Sequence, residues 1–107
     1  MTIFHLLQRS EWKRVQQSKI YRPTSLETEG FIHCSPANRV NEVAEAYFTG
    51  ETDLVLLEID PDRLASRLVY EAASDRAGSF PHIYGPLNLD AVVGVATFPP
   101  RNDAPPD

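Results

Sequence analysis

Apolar positions fall into a few short, well-separated groups. Ile3-Phe4-His5-Leu6-Leu7 is a nearly continuous apolar run and predicts a buried strand. Ser10 is placed to cap a helix running to about Ser18, with Trp12, Val15 and Leu7 on its apolar side. Lys19 to Glu29 has no period and holds Pro23, Thr24 and Ser25, so it reads as a loop. Phe31-Ile32-His33-Cys34 predicts a second short strand. Ser35-Pro36 then signals a helix start, a hydroxyl acceptor followed by a ring that fits the first turn. Val40, Val43, Ala44 and Tyr47 recur at helical spacing, and Gly50 ends that helix.

The later half favours strands. Leu54-Val55-Leu56-Leu57-Glu58-Ile59 has the profile of a central strand covered on both faces. Asp60-Pro61-Asp62 turns the chain, and Arg63 to Ser66 can form one helical turn. Arg67-Leu68-Val69-Tyr70-Glu71 alternates, with Leu68 and Tyr70 on one face. Asp75 to Ser79 reads as a loop. His82-Ile83-Tyr84 is a short extended piece between Pro81 and Gly85-Pro86, and Ala91 to Phe98 is a final strand. Together these predict one α+β domain over residues 1–98. It would hold a small mixed or antiparallel sheet of short strands, with two main helices early in the chain. Residues 99–107 carry four prolines and little to bury, which predicts a disordered tail.

Composition narrows the function. A chain of 107 residues fits one domain, and 42% hydrophobic content supports one modest core. Ten basic and fifteen acidic side chains give a net charge of −5. That balance opposes broad nucleic-acid binding, and Arg9, Lys13, Arg14 and Lys19 read as a solvated helix face. One cysteine cannot form an internal disulfide, which suits a reducing compartment. No signal or membrane span is evident, so a soluble cytoplasmic protein is expected. Oligomeric state is not legible.

Chemistry concentrates at three histidines, each among apolar neighbours. A part-buried imidazole needs a hydrogen-bond partner or a ligand. His5, His33 and His82 therefore predict one shared pocket. No glycine-rich phosphate loop, HExxH, CxxC or nucleophile elbow occurs. His33 and Cys34 point to opposite faces of a strand and cannot easily share a metal ion. Three histidines could hold one, and a metal-dependent hydrolase is thus one alternative. Cys34 reads as buried packing. His33 and Ser35 share a face at a predicted helix start, which favours an anion or polar ligand. Phe80-Pro81-His82-Ile83-Tyr84-Gly85-Pro86 is a stiff aromatic segment suited to presenting side chains to a flat ligand. Glu71 ends a strand beside Tyr70.

The segments Glu29-Gly30-Phe31-Ile32-His33-Cys34-Ser35 and Phe80-Pro81-His82-Ile83-Tyr84-Gly85-Pro86-Leu87 resemble the bacterial domain-of-unknown-function family numbered nine hundred and fifty-two. His5, Tyr21, Ser25, the Leu54–Ile59 strand and Tyr70-Glu71 support the resemblance, which runs from Ile3 to Phe98. That family is more distantly similar to the ADP-ribosyltransferase-like fold, which includes RNA 2′-phosphotransferases. The resemblance implies short strands around a cleft holding NAD in a bent shape. It implies polar residues from a first strand (His5), a mid-chain strand (His33 with Ser35) and a late strand (Glu71 or His82). Glu71, His33 and His82 become the catalytic candidates, with Glu71 stabilising positive charge on the ribose. His5, Phe31, Ser35 and Tyr84 become the ligand-binding candidates. NAD or another nucleotide is the implied ligand. A non-catalytic module for a small anionic ligand is the other alternative.

Overall fold

A computed structural model describes residues 1–73 and 76–99. Its strands are β1 (Ile3–Gln8), β2 (Ile20–Tyr21), β3 (Ile32–His33), β4 (Leu54–Ile59), β5 (Arg67–Ala72), β6 (Ser79–Tyr84), β7 (Leu87–Asn88) and β8 (Val92–Phe98). The helices are α1 (Arg9–Val15), α2 (Ser25–Thr28) and α3 (Val40–Tyr47). One three-stranded sheet has the order β1-β4-β8, a second has the order β3-β6-β5, and β2 pairs with β7. Every pairing is antiparallel. The α+β class and the two main early helices are as the sequence predicts.

Alternation along β1 and β4 explains the layering. Ile3, Leu7, Val55, Leu57 and Ile59 face a core shared with Trp12, Tyr21, Ile32 and Ile83. Leu6, Leu54 and Phe98 face the other way and meet Val40 of α3, with Phe4, Ala44, Phe48 and Leu56 around them. The first sheet is therefore covered on both sides, and its central strand β4 must be apolar at nearly every position. His5 stands between Ile3 and Leu7 on the first of these faces, opposite Leu57.

The two three-stranded sheets touch through one bridge. Phe4 and Ser35 exchange both backbone bonds, at 2.8 and 2.7 Å. Chain direction around it is set by β3, which pairs with β6 through His33↔His82 and then runs on to Ser35.

Several local expectations change. Gln8, not Ser10, precedes α1, and α1 ends at Val15. The Arg9 N–H bonds Asp53 O, so the helix begins where β1 leaves the sheet. Lys19 to Glu29 is not all loop: it contains β2 and α2, elements too short to leave a periodic pattern. Ser35 caps no helix. Its hydroxyl donates to Pro36 O at 2.8 Å, and its backbone is spent on Phe4. A 3-10 turn at Ala37–Arg39 precedes α3 instead. The turn expected at Arg63–Ser66 falls at Pro61–Arg63, where Asp60 accepts the Asp62 N–H. The extended piece at His82 lengthens to all of β6, and the last strand begins at Val92 after a 3-10 turn. Leu68 packs on the core, but Tyr70 is half exposed. Part of the loop expected at Asp75–Ser79 and nearly all of the predicted tail lie outside the described residues. No helix among the described residues is long and apolar enough to cross a membrane.

Leu57 is fully buried at the centre of this arrangement. Leu57→Ala should cost about 2–5 kcal/mol in chemical denaturation. A loss below about 1 kcal/mol would contradict the packing described.

Candidate functional site

The single bridge at Phe4 leaves a gap between the sheets. In an antiparallel strand, successive residues turn their N–H and C=O to alternate edges. Phe4 faces Ser35, so Leu6 faces the same edge. No backbone partner meets Leu6 there among the described residues. A cavity of about 480 Å3 opens along this edge, walled by β1, the 23–29 segment and α3.

His5 and Tyr21 form its polar floor. His5 Nδ1 lies 2.6 Å from His33 O, and a carbonyl can only accept, so Nδ1 carries the proton. Nε2 is then bare and accepts from the Tyr21 hydroxyl at 3.1 Å. Burial drives the His5 pKa down to about 4, partly offset by the His33 carbonyl. The ring is neutral and of fixed tautomer at neutral pH. Burial also raises the Tyr21 pKa, and the nearby Glu11 charge adds to it. Tyr21 is a protonated donor. The Cys34 thiol is buried and its pKa is raised by desolvation, so it is inert packing.

His33 forms part of the wall. Its Nε2 meets Glu29 Oε2 at 2.9 Å across one turn of chain. Glu11 and Glu29 both line the cavity. Among the described residues, no lysine or arginine does.

A second cluster occupies the outward face of the β3-β6-β5 sheet. Alternation in β6 sends Ile83 to the core and Phe80, His82 and Tyr84 to this face. His82 Nδ1 donates to Glu71 Oε1 at 2.8 Å, and the Tyr84 hydroxyl donates to the same oxygen at 2.6 Å. These two bonds lower the Glu71 pKa, and the Glu71 contact raises that of Tyr84. Phe31 stacks on His82 with ring centres 4.0 Å apart and meets His33 edge-on at 4.8 Å.

The predicted residues therefore divide. His5, His33 and Ser35 line the cavity; Phe31, Glu71, His82 and Tyr84 do not. The expectation of three imidazoles in one pocket is corrected. The His82 and His33 rings are 5.4 Å apart, but Phe31 covers His82 and Glu71 holds its Nδ1. Among the described residues, no group of three histidine, cysteine or acidic side chains is arranged to hold a metal ion. Sequence reasoning gave little weight to Tyr21 and missed Glu11, the ring of Tyr47 at the cavity wall and the open edge at Leu6. A polar-aromatic pair such as Tyr21 has no period to reveal it, and an open edge is a property of pairing alone.

The site belongs to a small α+β domain with a histidine-floored cavity at a strand edge. The chain matches the family described as protein of unknown function (DUF952) over residues 6–95, and it belongs to that family. It is similar to protein CC0527 from Caulobacter crescentus. The crystal structure of that protein is 32% identical, with 91% of this chain and 85% of that chain covered and a TM-score of 0.80. Its solution NMR structure aligns at 30% identity over 89% and 82% of the two chains, with a TM-score of 0.68. No curated protein matches the chain.

The His5 geometry sets a pH dependence. Its folded pKa lies below the unfolded value, so the unfolded chain takes up the proton first as pH falls. The contribution is complete above about pH 6.5, is lost down to about pH 4, and changes no further below. His5 alone should account for up to about 3 kcal/mol over that window. Denaturant midpoints measured from pH 7.5 to 4 should fall more steeply for the wild type than for His5→Gln. Parallel profiles would contradict a neutral buried His5.

Proposed function

We propose that the protein binds the nucleoside end of a nicotinamide nucleotide in the His5–His33 cavity. The carrying observation is the cavity's composition: a strand edge open at Leu6, a neutral His5–Tyr21 pair, two carboxylates and, among the described residues, no lysine or arginine. An oxidised nicotinamide ring is flat and positively charged, and Glu11 and Glu29 favour that charge. Its carboxamide presents an N–H donor beside a carbonyl acceptor, which can pair with the C=O and N–H of a free strand edge, and keeps a second N–H for another partner. Tyr47, Phe4 and Phe48 supply aromatic walls for the ring. The volume lies within the ordinary range for small-molecule sites, about 300–1,000 Å3. An anion would meet two carboxylates here, which argues against a purely anionic ligand inside the cavity.

The resemblance to ADP-ribosyltransferase-like proteins extends this reading to chemistry. Breaking the nicotinamide–ribose bond sends its electron pair to the ring nitrogen and leaves positive charge on the ribose, which water captures at the same carbon with loss of a proton. Glu29 is the carboxylate in the cavity wall able to stabilise that charge and to bind a ribose hydroxyl. This moves the role first expected of Glu71 to Glu29.

Amide and imidazole NMR shifts should be followed during titration with nicotinamide riboside, NAD and ADP-ribose. The first two should move Leu6, Tyr21 and His33 and bind at least tenfold more tightly than ADP-ribose. No movement of these residues at millimolar ligand, or equal binding of all three, overturns the proposal. Nicotinamide release then separates an enzyme from a binding module. An enzyme should release it and lose roughly 100-fold in rate on Glu29→Gln; a module returns NAD intact.

A further inference from the structure

The sheet that carries the cavity has a second free edge. In the order β1-β4-β8, β8 is the outer strand. Strand parity fixes what that edge shows. His5 turns its backbone to Leu57, so Leu56 turns the other way to Ala96, and Gly94 and Phe98 face inward with Ala96. The N–H and C=O of Val95 and Thr97 therefore point outward. No backbone partner meets either residue there among the described residues.

Native sheets guard such edges with charge, proline or a bulge. The edge strand β5 carries Arg67 and Glu71. β8 has no charged side chain and no proline from Val92 to Phe98. Its one irregularity lies at Val93: Glu58 faces Gly94 and Ile59 faces Val92, so the stretch 94–98 stays regular. Val95 and Ala96 are both exposed, one on each face of the sheet, and Val95 is 51% accessible.

This stretch is complementary to itself. An antiparallel copy related by a two-fold axis at Ala96 sets Val95 opposite the partner's Thr97 and Thr97 opposite the partner's Val95. Outward-facing residues then meet outward-facing residues, and the two pairs exchange four backbone hydrogen bonds. Ala96 meets its own copy in the closer, non-hydrogen-bonded position, where a small side chain fits. On the face shared with Val55 and Leu57, Arg9 donates to Thr97 Oγ1 at 2.8 Å. Val95 in the pair therefore meets the aliphatic stem of the partner's Arg9. Any extended peptide could use the same backbone groups. A copy adds matching length, matching parity and an uncharged contact in a chain whose net charge is −5.

We propose that two copies of the protein associate through β8, joining their sheets into one of six strands in the order β1-β4-β8-β8-β4-β1. The cavities lie at the two far edges, along β1, and stay open, so association and ligand binding are independent. A contact this short falls below the roughly 1,200 Å2 of a stable interface, so the dimer is reversible.

Sedimentation velocity from about 1 μM to about 1 mM should show a monomer–dimer equilibrium. In hydrogen exchange, the amides of Val95 and Thr97 should gain roughly tenfold protection at the dimer end of that range, while Ala96 stays protected by Leu56 throughout. Val95→Lys sets an ammonium beside the partner's Arg9 and should weaken association roughly tenfold more than Val95→Glu. Tyr70→Lys, on β5, should leave association unchanged. A monomer at every concentration overturns the proposal. So does a dimer whose Val95 and Thr97 amides stay unprotected, or one that the two Val95 variants weaken alike.

Discussion

The pair of backbone hydrogen bonds between Phe4 and Ser35 governs this molecule. They join the two three-stranded sheets at one point and nowhere else among the described strands. A full strand pairing there would close β1 on both edges and leave no cavity. A missing bridge would separate β1 from β3 and release the His33 carbonyl from His5. One bridge does both jobs: it locks the sheets together and leaves the next outward-facing residue, Leu6, beside open space.

The site follows from strand parity. Phe4 turns its backbone toward Ser35, so His5 turns its backbone toward β4 and its side chain into the core face with Ile3 and Leu7. An imidazole there must be neutral and doubly hydrogen-bonded, and the His33 carbonyl and Tyr21 hydroxyl meet that demand. The same rule operates in β6, where Ile83 faces the core and His82 faces outward with Tyr84. His33 lies beside His82 by register and beside the cavity by position. It lines the cavity and also meets Phe31 and His82 of the second cluster.

Much of this was legible in the sequence. The apolar runs at Ile3–Leu7 and Leu54–Ile59 announced two paired strands, and the period from Val40 to Tyr47 announced α3. Of the three histidines the sequence singled out, His5 and His33 line the cavity and His82 does not. What escaped has a common cause. Ser10 and Ser35 carry the residue types of helix caps, but tertiary demands on the neighbouring backbone overrode them: Asp53 fixes the start of α1, and Phe4 claims Ser35. The elements β2 and α2 are too short to print a period. The division of the histidines depends on the Phe31 ring lying over His82, a contact between residues far apart in the chain.

Amide hydrogen exchange along β1 is the most direct check on the open edge. The Phe4 amide should be protected by Ser35, those of His5 and Leu7 by β4, and that of Leu6 should exchange fastest of the four, then slow when nicotinamide riboside is present at saturation. Leu6 protection equal to that of its neighbours in the free protein, or exchange unaltered by the bound ring, would contradict the account.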